Sequence, residues 1–69
     1  MDISKVVGSN LQIARKNKKY TQAQVAKLLH MTQQQYSRFE NGVFELNYSL
    51  IVTLCNLYEI TPNELFSFE

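Results

Sequence analysis

From Ile3 onward the apolar residues Val6, Val7, Leu11 and Ala14 recur at three- and four-residue steps, so the chain opens on a helix that turns one stripe toward a core. The stripe ends in a basic run near Asn17. Thr21-Gln22-Ala23-Gln24 then reads as a capping box, in which the threonine hydroxyl and the second glutamine satisfy amides that a helix start leaves unpaired. A short second helix therefore begins at about Gln22 and buries Val25, Ala26 and Leu29, with Ala26 small enough to let another helix approach. A second box, Thr32-Gln33-Gln34-Gln35, follows so soon that His30-Met31 must be a tight connection between two helices. On a wheel of about 100° per residue, Gln33, Gln34, Ser37, Arg38 and Asn41 share the outer arc of the third helix. Gln35, Tyr36, Phe39 and Glu40 share the arc that leans inward. Asn41-Gly42 supplies a stop, because glycine tolerates the left-handed conformation that commonly ends a helix. Leu50, Ile51, Leu54, Leu57 and Tyr58 outline a fourth helix. Thr61-Pro62-Asn63-Glu64 repeats the cap, with proline where no amide bond is lost, ahead of a short fifth helix through Leu65 and Phe66. No strand-like alternation, repeat or linker breaks the series, and the expectation is an all-α, five-helix domain spanning residues 1–69.

At 69 residues, 45% of them hydrophobic, the chain has room for one small core. No apolar run approaches the ~18 residues of a membrane span, and Met1-Asp2-Ile3-Ser4-Lys5 lacks the basic start of a signal peptide, which points to a cytoplasmic protein. A lone Cys55 and a lone His30 leave no internal disulfide and no zinc cluster, and no cofactor or small-molecule ligand is expected in so small a core. The net charge of +1 hides an asymmetry. Residues 1 to 42 hold all seven bases (Lys5, Arg15, Lys16, Lys18, Lys19, Lys27, Arg38) against Asp2 and Glu40, a balance of +5. From Val43 onward only Glu45, Glu59, Glu64 and Glu69 are charged, a balance of −4. The basic end suits a polyanion. Catalysis is a poor fit: the one histidine lies in a turn, Cys55 lies on an apolar helix, and no glycine-rich phosphate loop or paired carboxylates appear.

The stretch Thr21 to Gly42, TQAQVAKLLHMTQQQYSRFENG, resembles the helix-turn-helix of the Cro and phage-repressor (XRE-like) family, and the likeness runs on through the leucine-rich fourth helix and Ile60-Thr61-Pro62-x-Glu64-Leu65. The resemblance implies a compact lambda-repressor-like DNA-binding domain whose third helix enters the major groove. Its base-reading side chains would be Gln33 and Gln34, with Arg38 one turn further and Ser37 between them. Their chemistry suits the task, since glutamine pairs with adenine N6 and N7 and arginine with guanine O6 and N7. Gln22 and Asn41 would hold phosphates on either flank, with Lys16, Lys18 and Lys19 adding nonspecific attraction. Arg15 and Glu40 correspond to a structural salt bridge found in several members. Two departures stand out. His30 replaces the usual turn glycine, which asks histidine for the left-handed conformation. The loop after Gly42 is apolar where phage repressors are often basic, so Val43, Phe44 and Leu46, with Phe66 and Phe68, become candidates for a homodimer surface, although Leu46 and Phe66 equally suit closure of the core. The expected function is a transcriptional regulator, a repressor, binding a palindromic operator in double-stranded DNA as a homodimer. The competing reading is a protein-interaction module on the same fold, of antitoxin or antirepressor kind, and Gln33, Gln34 and Arg38 are the residues that argue against it.

Overall fold

Every helix of the computed structural model, which describes residues 2–68, starts on a short polar side chain and stops on a left-handed residue. The five are α1 (Ile3–Asn17), α2 (Gln22–Leu28), α3 (Gln33–Glu40), α4 (Tyr48–Tyr58) and α5 (Pro62–Phe66). Asp2 and Asn47 cap α1 and α4 by accepting the amides of Lys5 and Leu50. Thr21, Thr32 and Thr61 form the three capping boxes the sequence predicts, each receiving an amide at 3.1 Å while its own amide donates at 2.9 Å to Gln24, Gln35 or Glu64.

The helix ends are more uniform than the sequence suggests. Lys19, His30, Gly42, Glu59 and Ser67 all adopt positive φ, between 55° and 73°, so His30 takes the conformation its place in the turn demands and three other non-glycine residues do likewise. In each case the next residue's amide reaches back to close the helix: Tyr20 to Arg15, Met31 to Ala26, Val43 to Arg38, Ile60 to Cys55 and Phe68 to Asn63. This is the Schellman arrangement, and the residue after the left-handed one is apolar every time. Tyr20, Met31 and Ile60 use that position to pack against the core, fixing where the next helix leaves.

The core is formed by Val7, Leu11, Ala14, Val25, Ala26, Tyr36, Leu54, Cys55, Tyr58 and Leu65. Ile3, at the head of the predicted stripe, is instead half exposed, lining an open cleft beside Phe44, Leu46 and Phe66 and not the closed core. α3 packs on α1 and α2, and α5 on α1 and α4. Two buried hydroxyls bridge α3 to α4, with Tyr36 Oη and Tyr58 Oη 2.6 Å apart. Burial pushes both phenols up, Tyr58 to about 12, so both stay protonated and able to donate. Asn10 of α1 secures α5 by donating to the Leu65 carbonyl at 2.8 Å and the Ser67 hydroxyl at 2.9 Å.

Two features fix α3 against α1. The first is Gly8: a Cβ there would stand 2.4 Å from the Glu40 carbonyl oxygen and 2.7 Å from that of Phe39, so the end of α3 crosses α1 at a distance only glycine permits. The second is a buried ion pair. Arg15 Nε donates to Glu40 Oε2 at 2.7 Å and Nη2 to Oε1 at 3.1 Å, while Nη1 donates to the Tyr20 carbonyl at 3.0 Å. Gln22 of α2 adds a bond from Nε2 to Glu40 Oε1 at 3.0 Å. Burial by itself would raise the Glu40 carboxyl, but the bonds from Arg15 and Gln22, with the Tyr36 hydroxyl alongside, outweigh it and hold the carboxyl below the usual range. Among the described residues no buried side-chain nitrogen or oxygen lacks a partner.

Both features make measurable predictions. In a helix interior alanine normally gains about 1 kcal/mol over glycine, yet Gly8→Ala should lose about 1–3 kcal/mol here through overpacking. A gain in the urea midpoint would show that α1 and α3 stand further apart. Arg15→Met leaves Glu40 buried without its cation and should cost about 3–5 kcal/mol, whereas Arg15→Met with Glu40→Leu should recover most of that. Equal stability of the single and double variants, measured by urea unfolding, would contradict this. Because the Glu40 pKa is depressed in the folded state, its contribution is complete above about pH 4.3, its unfolded value, and is lost as the pH falls through the folded one. The double variant should therefore lose less stability in acid than the parent.

Candidate nucleic-acid interface

Once α3 is clamped by its inner face, the outer face is left to solvent. Gln33 and Gln34, in its first turn, are exposed, and neither makes a side-chain hydrogen bond within the described residues. Ser37 and Arg38 follow one turn on, half-buried along the same face, and Asn41 closes the helix, exposed. Gln33, Gln34, Ser37, Arg38 and Asn41 therefore come together on one strip. Gln35 departs from expectation: it is exposed, not turned inward. Its side-chain oxygen accepts the Thr32 amide, and reaching back to that cap keeps it over the open end of the helix and off the core.

The flanks are more committed than the strip. The Gln22 amide, held by Glu40, is fixed in direction by a buried carboxylate and retains a second N–H for a partner outside. The Asn41 amide donates to Ser37 Oγ at 3.3 Å, so those two polar groups act as a pair. Lys16 and Lys19 are exposed with no anionic partner among the described residues. Lys18 differs: it forms an ion pair with Glu59 at the end of α4, and that neighbour lowers the Glu59 carboxyl pKa. The pair joins the ends of α1 and α4 and sets an opposite charge beside Lys18, partly offsetting it. Glu69, counted in the acidic half of the sequence, lies outside the described residues.

Arg38 is the residue whose surroundings the sequence does not disclose. Its guanidinium carbon lies 5.4 Å above the centroid of the Phe44 ring. No side-chain hydrogen bond or ion pair engages it among the described residues. The other candidates in the loop divide. Leu46 and Phe66 are partly buried against the core, whereas Val43 and Phe68 are 66% and 69% exposed. The start of α1, the α3–α4 loop and α5 enclose an open cleft of about 320 Å³ between Ile3, Phe44, Leu46 and Phe66.

Groups suited to other chemistry are dispersed. Burial pushes the Cys55 thiol up, keeping it in its unreactive form inside the core. Among the described residues no three of His, Cys, Asp and Glu gather as metal ligands, and no helix is long and apolar enough to cross a membrane.

The geometry is that of two capped helices meeting at a left-handed turn, with the second presenting long polar side chains outward. No curated protein and no solved structure matches the chain significantly. A protein-family comparison does: residues 8–68, nearly the whole chain, match the helix-turn-helix domain, and a DNA partner is what that fold implies. With its five helices, its left-handed turn at His30 and this match, the chain belongs to the helix-turn-helix domain family of Cro and phage-repressor type.

Proposed function

We propose that the protein is a transcriptional repressor that reads a palindromic operator as a homodimer, with α3 of each copy in the major groove. The observation that carries this reading is the outer strip of α3, where Gln33, Gln34 and Arg38 keep their hydrogen-bonding groups uncommitted on a helix whose inner face is immobilised. A buried ion pair on one side and free amides on the other suit a rigid reading head, because contacts formed without reordering the helix retain more of their free energy. Gln33 and Gln34 take base edges, adenine being the natural match, Arg38 takes a guanine, and Ser37 reaches a base or phosphate between them. Gln22 and Asn41 hold phosphates at the two ends of the strip, fixing register. Lys16 and Lys19 supply salt-dependent attraction, and Lys18 contributes less because Glu59 partly offsets it.

Dimerisation follows from reach. A helix of eight residues offers only a few base contacts, and a molecule measuring 30 × 23 × 20 Å covers about one turn of duplex. Two copies related by a two-fold axis would set their third helices in successive grooves, about 34 Å apart. Val43 and Phe68, the most exposed of the loop and terminal candidates, are the residues we place at the contact between copies, with Leu46 and Phe66 behind them and Phe44 at the edge.

Selection of random duplex DNA by the purified protein, at two salt concentrations, tests the reading. An inverted repeat should be enriched. Gln34→Ala should relax preference at one position in each half-site by about 1–3 kcal/mol, and Lys19→Ala should weaken all sequences alike and flatten the salt dependence. Selection of no sequence would shift the assignment to a protein-binding module, and identical behaviour of the two variants would overturn the division of roles.

A further inference from the structure

We infer that Phe44 is a positioning residue for base recognition: its ring orients the Arg38 guanidinium toward the groove, so specificity at the base pair read by Arg38 depends on a residue outside the recognition helix. The inference rests on the DNA-reading assignment of α3 above. The geometry is a relay from the core outward. Phe39 packs against the core, the Phe44 ring meets Phe39 edge to face at a centroid distance of 5.9 Å, and Arg38 lies over Phe44. The backbone closes the same unit, since the amides of Val43 and Phe44 donate to the Arg38 carbonyl at 2.9 and 3.3 Å. Gly42 makes this return possible through its φ of +73°, and a Cβ there would also meet Lys5 Cα at 2.9 Å.

The two arginines of the chain show what the ring accomplishes. Arg15 is held by its N–H donors, with Nε, Nη1 and Nη2 all engaged, and is therefore structural. Arg38 is held through the face of an aromatic ring, an attraction to the ring quadrupole that engages no N–H. An arginine fixed in this way keeps its planar fork free for the two acceptors of guanine. A long side chain anchored only at its backbone would have to be ordered on binding, at a cost in conformational entropy. The contact also gives a role to the Phe44 ring, which stays 42% exposed two residues after the stop at Gly42.

The test begins with the free protein. Ring-current shifts of the Arg38 δ-methylene protons should be present and should disappear in Phe44→Leu; their absence from the parent protein would overturn the inference without touching DNA reading. Binding is then measured to the selected operator and to its single-base variants. Arg38→Ala should abolish discrimination at one base pair per half-site. Phe44→Leu should reduce discrimination at that same base pair by about two- to fivefold, leave the positions read by Gln33 and Gln34 unchanged, and add nothing in the Arg38→Ala background. Phe44→Tyr should restore the parent pattern. A uniform loss across all sequences in Phe44→Leu would assign Arg38 to a phosphate, or Phe44 to mere packing, and would overturn the inference. Preserved discrimination in Phe44→Leu alongside loss in Arg38→Ala would overturn it while leaving the reading of DNA intact, whereas preserved discrimination in Arg38→Ala would overturn both this inference and the base-reading role of Arg38.

Discussion

A charged carboxylate with almost no access to water governs this structure. Glu40 closes α3, and its side chain is only 2% exposed, a placement that costs several kcal/mol unless every lone pair finds a donor. Arg15 meets it in a bidentate geometry from α1, Gln22 meets it from α2, and the remaining arginine nitrogen reaches the turn between those helices at Tyr20. Residues of α1 and α2 thus converge on one residue of α3, and the turn at Tyr20 joins them through the arginine. Gly8 allows the carbonyls at the end of α3 to lie directly on α1, which brings the arginine within reach. A domain of this size has roughly 3–10 kcal/mol of total stability, so a pair whose disruption costs about 3–5 kcal/mol is a condition of the fold as well as a brace for the outer face of α3.

The capping-box starts of α2, α3 and α5 were legible in the sequence, as were the stops at His30 and Gly42, but the caps at Asp2 and Asn47 and the other left-handed stops were not, for a physical reason. A start announces itself through side-chain chemistry: Thr21, Thr32 and Thr61 each need a glutamine or glutamate three residues on, and each has one. An end depends on a backbone conformation that glycine adopts freely and other residues adopt at a cost, and only Gly42 carries the expected residue. Lys19, Glu59 and Ser67 carry no sign of it. The signal available was the apolar residue immediately after each of them, Tyr20, Ile60 and Phe68, which belongs to the same closing motif. Periodicity located most of the core, but it misplaced Ile3 and Gln35, both in first turns, where a cap matters more than the angle on a wheel.

On the outer face of α3 the identity of the strip was readable, and its wiring was not. Gln33, Gln34, Ser37, Arg38 and Asn41 share a helix surface because spacing dictates it. Which polar groups are already engaged depends on contacts across the fold, some more than forty residues apart in sequence, as with Lys18 and Glu59. The same holds for Phe44, which composition marks only as an apolar residue in a loop and which the structure places beneath Arg38. The result is a sorting of cations and amides by commitment: Arg15, Lys18 and one N–H of Gln22 serve the fold, while Gln33, Gln34 and Arg38 keep their donors.

The most direct test of this account is a residue-by-residue map of the contact surface, obtained by titrating the labelled protein with its selected duplex and following amide and side-chain amide resonances. The account predicts that the largest changes fall at Gln33, Gln34, Ser37 and Arg38, with Gln22 and Asn41 at the margins, and that the resonances of Arg15 and Glu40 hold their positions. Changes concentrated instead around the cleft formed by Ile3, Phe44, Leu46 and Phe66, with the amides of Gln33 and Gln34 undisturbed, would contradict it.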